Sequence, residues 1–232
     1  ATIPSEVLTE TIDLKCTFKN EIVFISGTSI TNQTKHTCEP IGFMIYRPNV
    51  EISNADEVFE SVKAFKVSYG GYVEYLPLNL GEKYPKIELI VMYKTGLKEI
   101  NKKVMRGLKH LIILSLKGNN IEELEGNLFE DNQKLELINL SGNKIKFIHP
   151  KAFHGPSLST LYLMDNYCIS TNAKNHQAIG ELESYFTGNC SKLIYELEIL
   201  LNSLAITQIS INSKVTALEN ARKLFKSAKQ IN

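Results

Sequence analysis

With 232 residues, 43% of them hydrophobic and 22% charged, the chain has the make-up of a globular protein, which argues against a disordered or membrane-embedded class. Its formal net charge of +1 disfavours a partner chosen by bulk electrostatics, so nucleic acid is not expected. No apolar run approaches the roughly 18 residues that span a bilayer, and the richest, residues 193 to 206, is broken by Glu196 and Glu198.

The first stretch, 1–57, carries two short β-like runs, Ile22-Val23-Phe24-Ile25 and Phe43-Met44-Ile45-Tyr46, and is expected to form an N-terminal cap. A spaced apolar set follows at Val62, Phe65 and Val67, with Gly70 after it, and recurs 25 residues on at Ile87, Ile90 and Met92, with Thr95 after it. From residue 108 the pattern is explicit. LKHLIILSLKGNNIEEL, QKLELINLSGNKIKFI and LSTLYLMDNYCI share the frame L-x-x-L-x-L-x-x-N-x-L, with starts at Leu111, Leu135 and Leu158, 24 and 23 residues apart. A fixed period of this size predicts a solenoid whose turns bury their apolar sides against one another. The short L-x-L reads as a strand with alternate side chains pointing inward. Asn119, Asn143 and Asn166 hold the ninth place of the frame, where an amide satisfies backbone groups bared by a tight turn. Phe129 and Phe153 recur at matching places and should stack on the convex side.

After Asn166 the frame fails at Tyr167-Cys168, and Ile179, Leu182, Tyr185 and Phe186 have helical spacing, which suggests a C-terminal cap over 168–191. The repeats proper then occupy 58–167. Beyond them, in 192–232, Leu197, Leu204, Ile211, Leu218 and Phe225 recur every seven residues, with Thr207 and Lys214 as defects of the seam. This stretch holds six basic and three acidic residues. Three readings stand: an amphipathic helix packed on its own solenoid, a coiled-coil arm joining a second chain, or a hairpin broken in the β-branched stretch 206–212, with Ser213 capping a second helix.

Four cysteines flank the repeats, Cys16 and Cys38 in front and Cys168 and Cys190 behind. Three connectivities are possible. The equal spacings favour local bridges, Cys16 to Cys38 and Cys168 to Cys190, each covering one open end of the core. Three N-x-S/T sequons, at Asn32, Asn139 and Asn189, agree with an oxidising, secreted setting and with glycosylation. The opening Ala1 fits a terminus left by signal-peptide cleavage, although a chain cut elsewhere looks the same.

Chemistry is sparse. Of the five histidines only His149 and His154 are close, and they flank Pro150 in a loop, where solvated positions are expected rather than metal ligands. No G-x-S-x-G occurs, and Gly70-Gly71 belongs to neither a P-loop nor a dinucleotide fingerprint. Neither enzymatic activity nor a cofactor is expected. The inner face of the sheet is the better candidate, because residues between the inward leucines point outward there. The three outward rows read Leu89, Ile113, Leu137, Thr160; then Val91, Ser115, Asn139, Tyr162; then Tyr93, Lys117, Ser141, Met164. Leu89, Ile113 and Leu137 form a ridge that either meets a protein partner, together with Val91, Tyr93, Lys117, Tyr162 and Met164, or is packed over by the cap or the C-terminal helix. A glycan on Asn139 would block part of this face.

Together the frame, the period near 24 residues and the capping cysteines resemble the extracellular leucine-rich repeat proteins. More narrowly, Cys16 with Phe18 and the His36-Thr37-Cys38 segment resemble the N-terminal pattern of secreted insect members, and the layout is similar to the leucine-rich immune proteins of mosquitoes, with fewer cysteines and a shorter tail. The resemblance implies an α/β fold: a right-handed leucine-rich repeat solenoid with a parallel β-sheet on its concave face, an irregular or helical convex side, disulfide caps and a C-terminal α-helical extension. It also implies a secreted module that binds a protein partner without a cofactor, in recognition or innate immunity, its tail serving assembly such as a homodimer. The alternative is a structural or storage protein that self-assembles. A small-molecule carrier is disfavoured, since a solenoid core is filled by its own leucines.

Overall fold

A computed structural model describes residues 10–22, 34–41, 44–53, 59–67 and 72–229. The N-terminal part contains β1 (Glu10–Ile12), β2 (Cys16–Ile22), β3 (Thr34–Pro40), β4 (Met44–Ile45) and β5 (Val50–Ile52). Two irregular turns follow, with β6 (Ala64–Val67), β7 (Tyr72–Val73), α1 (Leu80–Lys83), β8 (Leu89–Met92) and α2 (Lys102–Gly107). The regular turns hold β9 (Ile113–Ser115), β10 (Glu123–Leu124), β11 (Leu137–Asn139), β12 (Phe147–Ile148) and β13 (Thr160–Tyr162), and β14 (Asn172–Ala173), α3 (His176–Asn189) and α4 (Lys192–Lys229) complete the chain. Val23-Phe24-Ile25, Phe43 and Gly70, which the sequence reading assigned to strands and a turn, lie outside the described residues.

One eight-stranded sheet runs β14-β13-β11-β9-β8-β6-β3-β2. Its six inner strands are mutually parallel, and from β6 to β13 the register aligns Ala64, Leu89, Ile113, Leu137 and Thr160. That register puts each frame's inward residues in rows. Phe65, Ile90, Leu114, Ile138 and Leu161 form one row, and Val67, Met92, Leu116, Leu140 and Leu163 the next, all buried. The weak spacings at Val62 and Ile87 are therefore genuine turns of the solenoid, with Val62 and Ile87 both in the core. Only the end strands run the other way: β2 pairs antiparallel with β3, and β14 with β13.

Asparagine at the frame's ninth place is explained by what its amide reaches. Asn143 Oδ1 accepts from Ile121 N–H (3.1 Å), and its Nδ2 donates to Leu116 O (3.0 Å) and Leu140 O (2.9 Å). Asn166 repeats the set with Ile145 N–H, Leu140 O and Leu163 O. Each amide thus stitches its own turn to the one before, satisfying peptide groups that water does not reach. Asn119 does more. The preceding turn has Thr95 where an asparagine is expected, and Asn119 Oδ1 accepts from Thr95 N–H, Thr95 Oγ1–H, Gly96 N–H and Leu97 N–H at 3.0–3.1 Å.

On the convex side Phe129 and Phe153 stack, with centroids 5.9 Å apart and planes at 15°, as the sequence led one to expect, and Phe186 of α3 continues the row 5.8 Å from Phe153. In the irregular turns α1 and α2 approach so closely that a Cβ on Gly81 would lie 2.2 Å from Gly107 O, which only glycine permits. At the two ends, Cys16 is bridged to Cys38 and Cys168 to Cys190, both with Cα atoms 5.2 Å apart. Asn175 caps α3 by accepting from Ala178 N–H at 2.8 Å, and Ile148 N–H donates to Cys190 O at 3.0 Å, fastening the cap to the last β12 turn.

The chain divides into two compact units, Ala1–Ser191 and Lys192–Asn232. In the second, α4 is one helix of 38 residues, about 57 Å long. The break that the hairpin reading places within 206–212 is absent: the β-branched residues there cost the helix only a few tenths of a kcal/mol each, and the hydroxyls of Thr207, Ser213 and Thr216 donate to carbonyls three or four residues back instead of ending it. Taken by itself the helix exposes Leu193, Leu197, Leu200, Leu204, Ile211 and Leu218, and also Ile199, Leu201, Ile206, Ile209 and Val215, so apolar residues are spread well beyond one seam. Among the described residues no helix is long and apolar enough to cross a membrane.

Candidate functional site

The register of the sheet sets the candidate surface. Leu89, Ile113 and Leu137 do form one continuous ridge, joined by Ala64, but they are only 2%, 4% and 1% exposed. Of the two readings of this row, open to a partner or packed over, the burial fits a packed one, and the row forms a second, small apolar cluster. Strands about 4.8 Å apart bring the aliphatic side chains into mutual contact, and the half-buried Val91, Ile112 and Tyr162 pack over them. What remains accessible lies nearer the C-terminal ends of the strands. Tyr93 is 41% and Met164 37% exposed, and Lys117 is exposed between them. Ser115 and Ser141 are buried in the same rows. Asn139 is half-buried, with its Oδ1 accepting from Ser141 N–H at 3.0 Å, so the sequon amide lies along its own strand. Asn189 is exposed at the end of α3, its Nδ2 donating to Tyr185 O, and Asn32 lies outside the described residues.

Charge near this face is organised by Glu88, between β6 and β8. Its Oε1 is 2.7 Å from Lys63 Nζ, and its Oε2 pairs with Lys35. Burial pushes the Glu88 carboxyl up, but hydrogen bonds from Lys35 and Lys63 and the charges they carry outweigh it and hold the group below the usual carboxylate range. Beyond the ridge, Lys94 Nζ sits 5.3 Å over the Tyr93 ring. These groupings were not legible in the repeat pattern. Lys35 and Glu88 are 53 residues apart, and a frame defined by apolar places says nothing about the ion pairs joining its turns.

The two neighbouring histidines part company. His149 Nδ1 accepts from Lys151 N–H at 3.1 Å, whereas His154 Nε2 lies 2.8 Å from Glu183 Oε1 of α3. Among the described residues no group of three His, Cys, Asp or Glu side chains converges on a position that could hold a metal ion.

Comparison with known proteins agrees with this architecture. Residues 109–167 match the family model described as leucine rich repeat. The "Probable glycoprotein hormone G-protein coupled receptor" of Anthopleura elegantissima is 28% identical over 152 residues, covering 65% of this chain and 16% of that protein. The "Leucine-rich repeat-containing G-protein coupled receptor 5" of Rattus norvegicus is 29% identical over 121 residues, 52% of this chain and 13% of the receptor. The chain thus spans under a fifth of either relative. Its stacked frames and their asparagine ladder give the chain the leucine-rich repeat solenoid fold, and the family match falls on the regular turns of that solenoid, residues 109–167.

Proposed function

We propose that the chain is a secreted, extracellular recognition module that binds a protein partner through the accessible part of its inner face, with Tyr93, Lys117 and Met164 at the centre and Val91 and Tyr162 beside them. The observation that carries this reading is the row of large side chains left accessible above a packed ridge: aromatic, thioether and cationic groups of the kind that anchor protein interfaces. Support for an extracellular setting comes from the two disulfides and from similarity to receptors, one of which is named for a glycoprotein hormone. Glycans on Asn32, Asn139 and Asn189 and a role in innate immunity belong to the same proposal, as does the likeness to the secreted insect type. The apolar faces of α4 support pairing with a second copy of this chain. The test uses a crosslinkable residue in place of Tyr93 or Met164 and, as control, in place of the outward Lys103. Crosslinking to a protein of the native extracellular fluid from the first two sites and not the third supports the proposal. Crosslinking from Lys103 alone would refute it.

A further inference from the structure

Between the convex loop of the last regular turn and α3 lies a cavity of about 440 Å³. That size is in the range of sites for small ligands. Its floor is apolar, made by the buried Phe153, Leu158, Ile179 and Phe186, and its rim is polar, where His154 faces Glu183 across 2.8 Å. Gly180 lines it from the middle of α3. Glycine in a helix interior costs about 1 kcal/mol relative to alanine. At Gly81 the touching backbones of α1 and α2 account for that cost, but a Cβ on Gly180 would meet nothing within 4 Å. Gly188 is equally unencumbered, but it does not line the cavity and stands in the last turn of the helix, next to its final residue Asn189. Nothing in the described chain requires a glycine at 180.

We infer that what requires it is a ligand lying flat on the bare helix backbone. The row of rings Phe129, Phe153 and Phe186 ends at this cavity, so the surface offered is aromatic, and offset or tilted stacking against Phe153 and Phe186 favours another ring there. The carboxylate of Glu183 on the rim accepts a hydrogen bond. The cavity therefore binds an aromatic ring carrying an N–H or O–H donor, of the indole or phenol class, with the ring over Gly180 and the donor directed to Glu183. Such a ring comes either from a free small molecule or from a tryptophan or tyrosine side chain of a partner.

The chain contains no tryptophan, so indole fluorescence reports on binding without background from that residue. The full chain is titrated against indole and, separately, N-acetyltryptophanamide, following anisotropy. Saturable binding of indole is expected, with Glu183→Ala weakening it about tenfold, as loss of one charge-assisted hydrogen bond implies. Gly180→Leu, which fills the cavity with a good helix former, should abolish it, while Gly188→Leu on the same helix should leave it unchanged. Binding of both probes points to a partner side chain, and binding of indole alone to a free small molecule. No saturable binding of either probe to the wild type overturns the inference, as does a Gly180→Leu protein with native circular dichroism that binds as the wild type does. If Gly180→Leu does not fold, unaltered binding by Glu183→Ala overturns it in turn.

Discussion

Replacing the ladder asparagines one at a time by alanine should give unequal losses, and the inequality follows from which backbone groups are left without a partner. Leu116 O accepts from both Asn119 and Asn143, and Leu140 O from both Asn143 and Asn166, so these carbonyls keep one donor when a single amide is removed. In Asn143→Ala the group stranded is Ile121 N–H. In Asn119→Ala three backbone donors are stranded at once, those of Thr95, Gly96 and Leu97. A buried unsatisfied donor costs about 1–3 kcal/mol, and the low end applies where one oxygen with two lone pairs serves four donors. Asn119→Ala should then cost about 3 kcal/mol and Asn143→Ala about 1 kcal/mol. Asn166 is half-buried, so water replaces part of its network and its loss should be the smallest. Urea unfolding followed by circular dichroism, with disulfides intact and equal slopes for all variants, measures the three differences. A loss for Asn143→Ala equal to or above that for Asn119→Ala would show that counting stranded donors is the wrong account of the ladder.

Gly81→Ala should lower stability by about 1–3 kcal/mol, because the methyl displaces Gly107, whereas helix propensity alone predicts a gain; a raised urea midpoint would sink the close-approach argument. Because the folded Glu88 carboxyl is held below its unfolded value, its contribution is present above about pH 4.3 and is lost as pH falls through the lower, folded value. The stability gap between wild type and Glu88→Gln should accordingly be constant near neutrality and close in acid, and a gap indifferent to pH would contradict the ion-pair reading. Truncation after Ser191 should leave the urea midpoint of the repeats in place and turn a two-chain mass in light scattering into a one-chain mass; the same number of chains before and after truncation would remove the second-copy role of α4.

Local regularities were the ones legible in the sequence. The frame places each apolar residue relative to its own turn, so the core rows, the asparagine ladder and the Phe129–Phe153 stack follow from spacing, and the bridges follow from two equal intervals at the two ends. The candidate surface was legible only in part. Which residues face outward is a matter of alternation, but whether Leu89, Ile113 and Leu137 stay open depends on how far neighbouring turns lean together, and they close on one another. The handover from Thr95 to Asn119 needs two turns seen side by side, and the pairing of His154 with Glu183 needs the docked position of α3. Of the three readings of 192–232 the hairpin is the one that fails, because single β-branched residues shift a helix by far less than its length stabilises it.

The antiparallel strands at the two ends of the sheet have a consequence for growth. Parallel strands of one repeated frame present a template that a turn from another molecule fits as well as the next turn of the same chain. Among the described residues that template stops at one end at β14, which is two residues long and runs against its neighbour, and at the other at β2, where Lys19 is paired with Glu39 on the adjoining strand. Each terminator is tied down by its own disulfide, so a reducing environment would strip the terminators before the leucine rows come apart. Under mild reduction the expected outcome is end-to-end joining into linear polymers in place of melting as single chains, which light scattering with and without reductant checks.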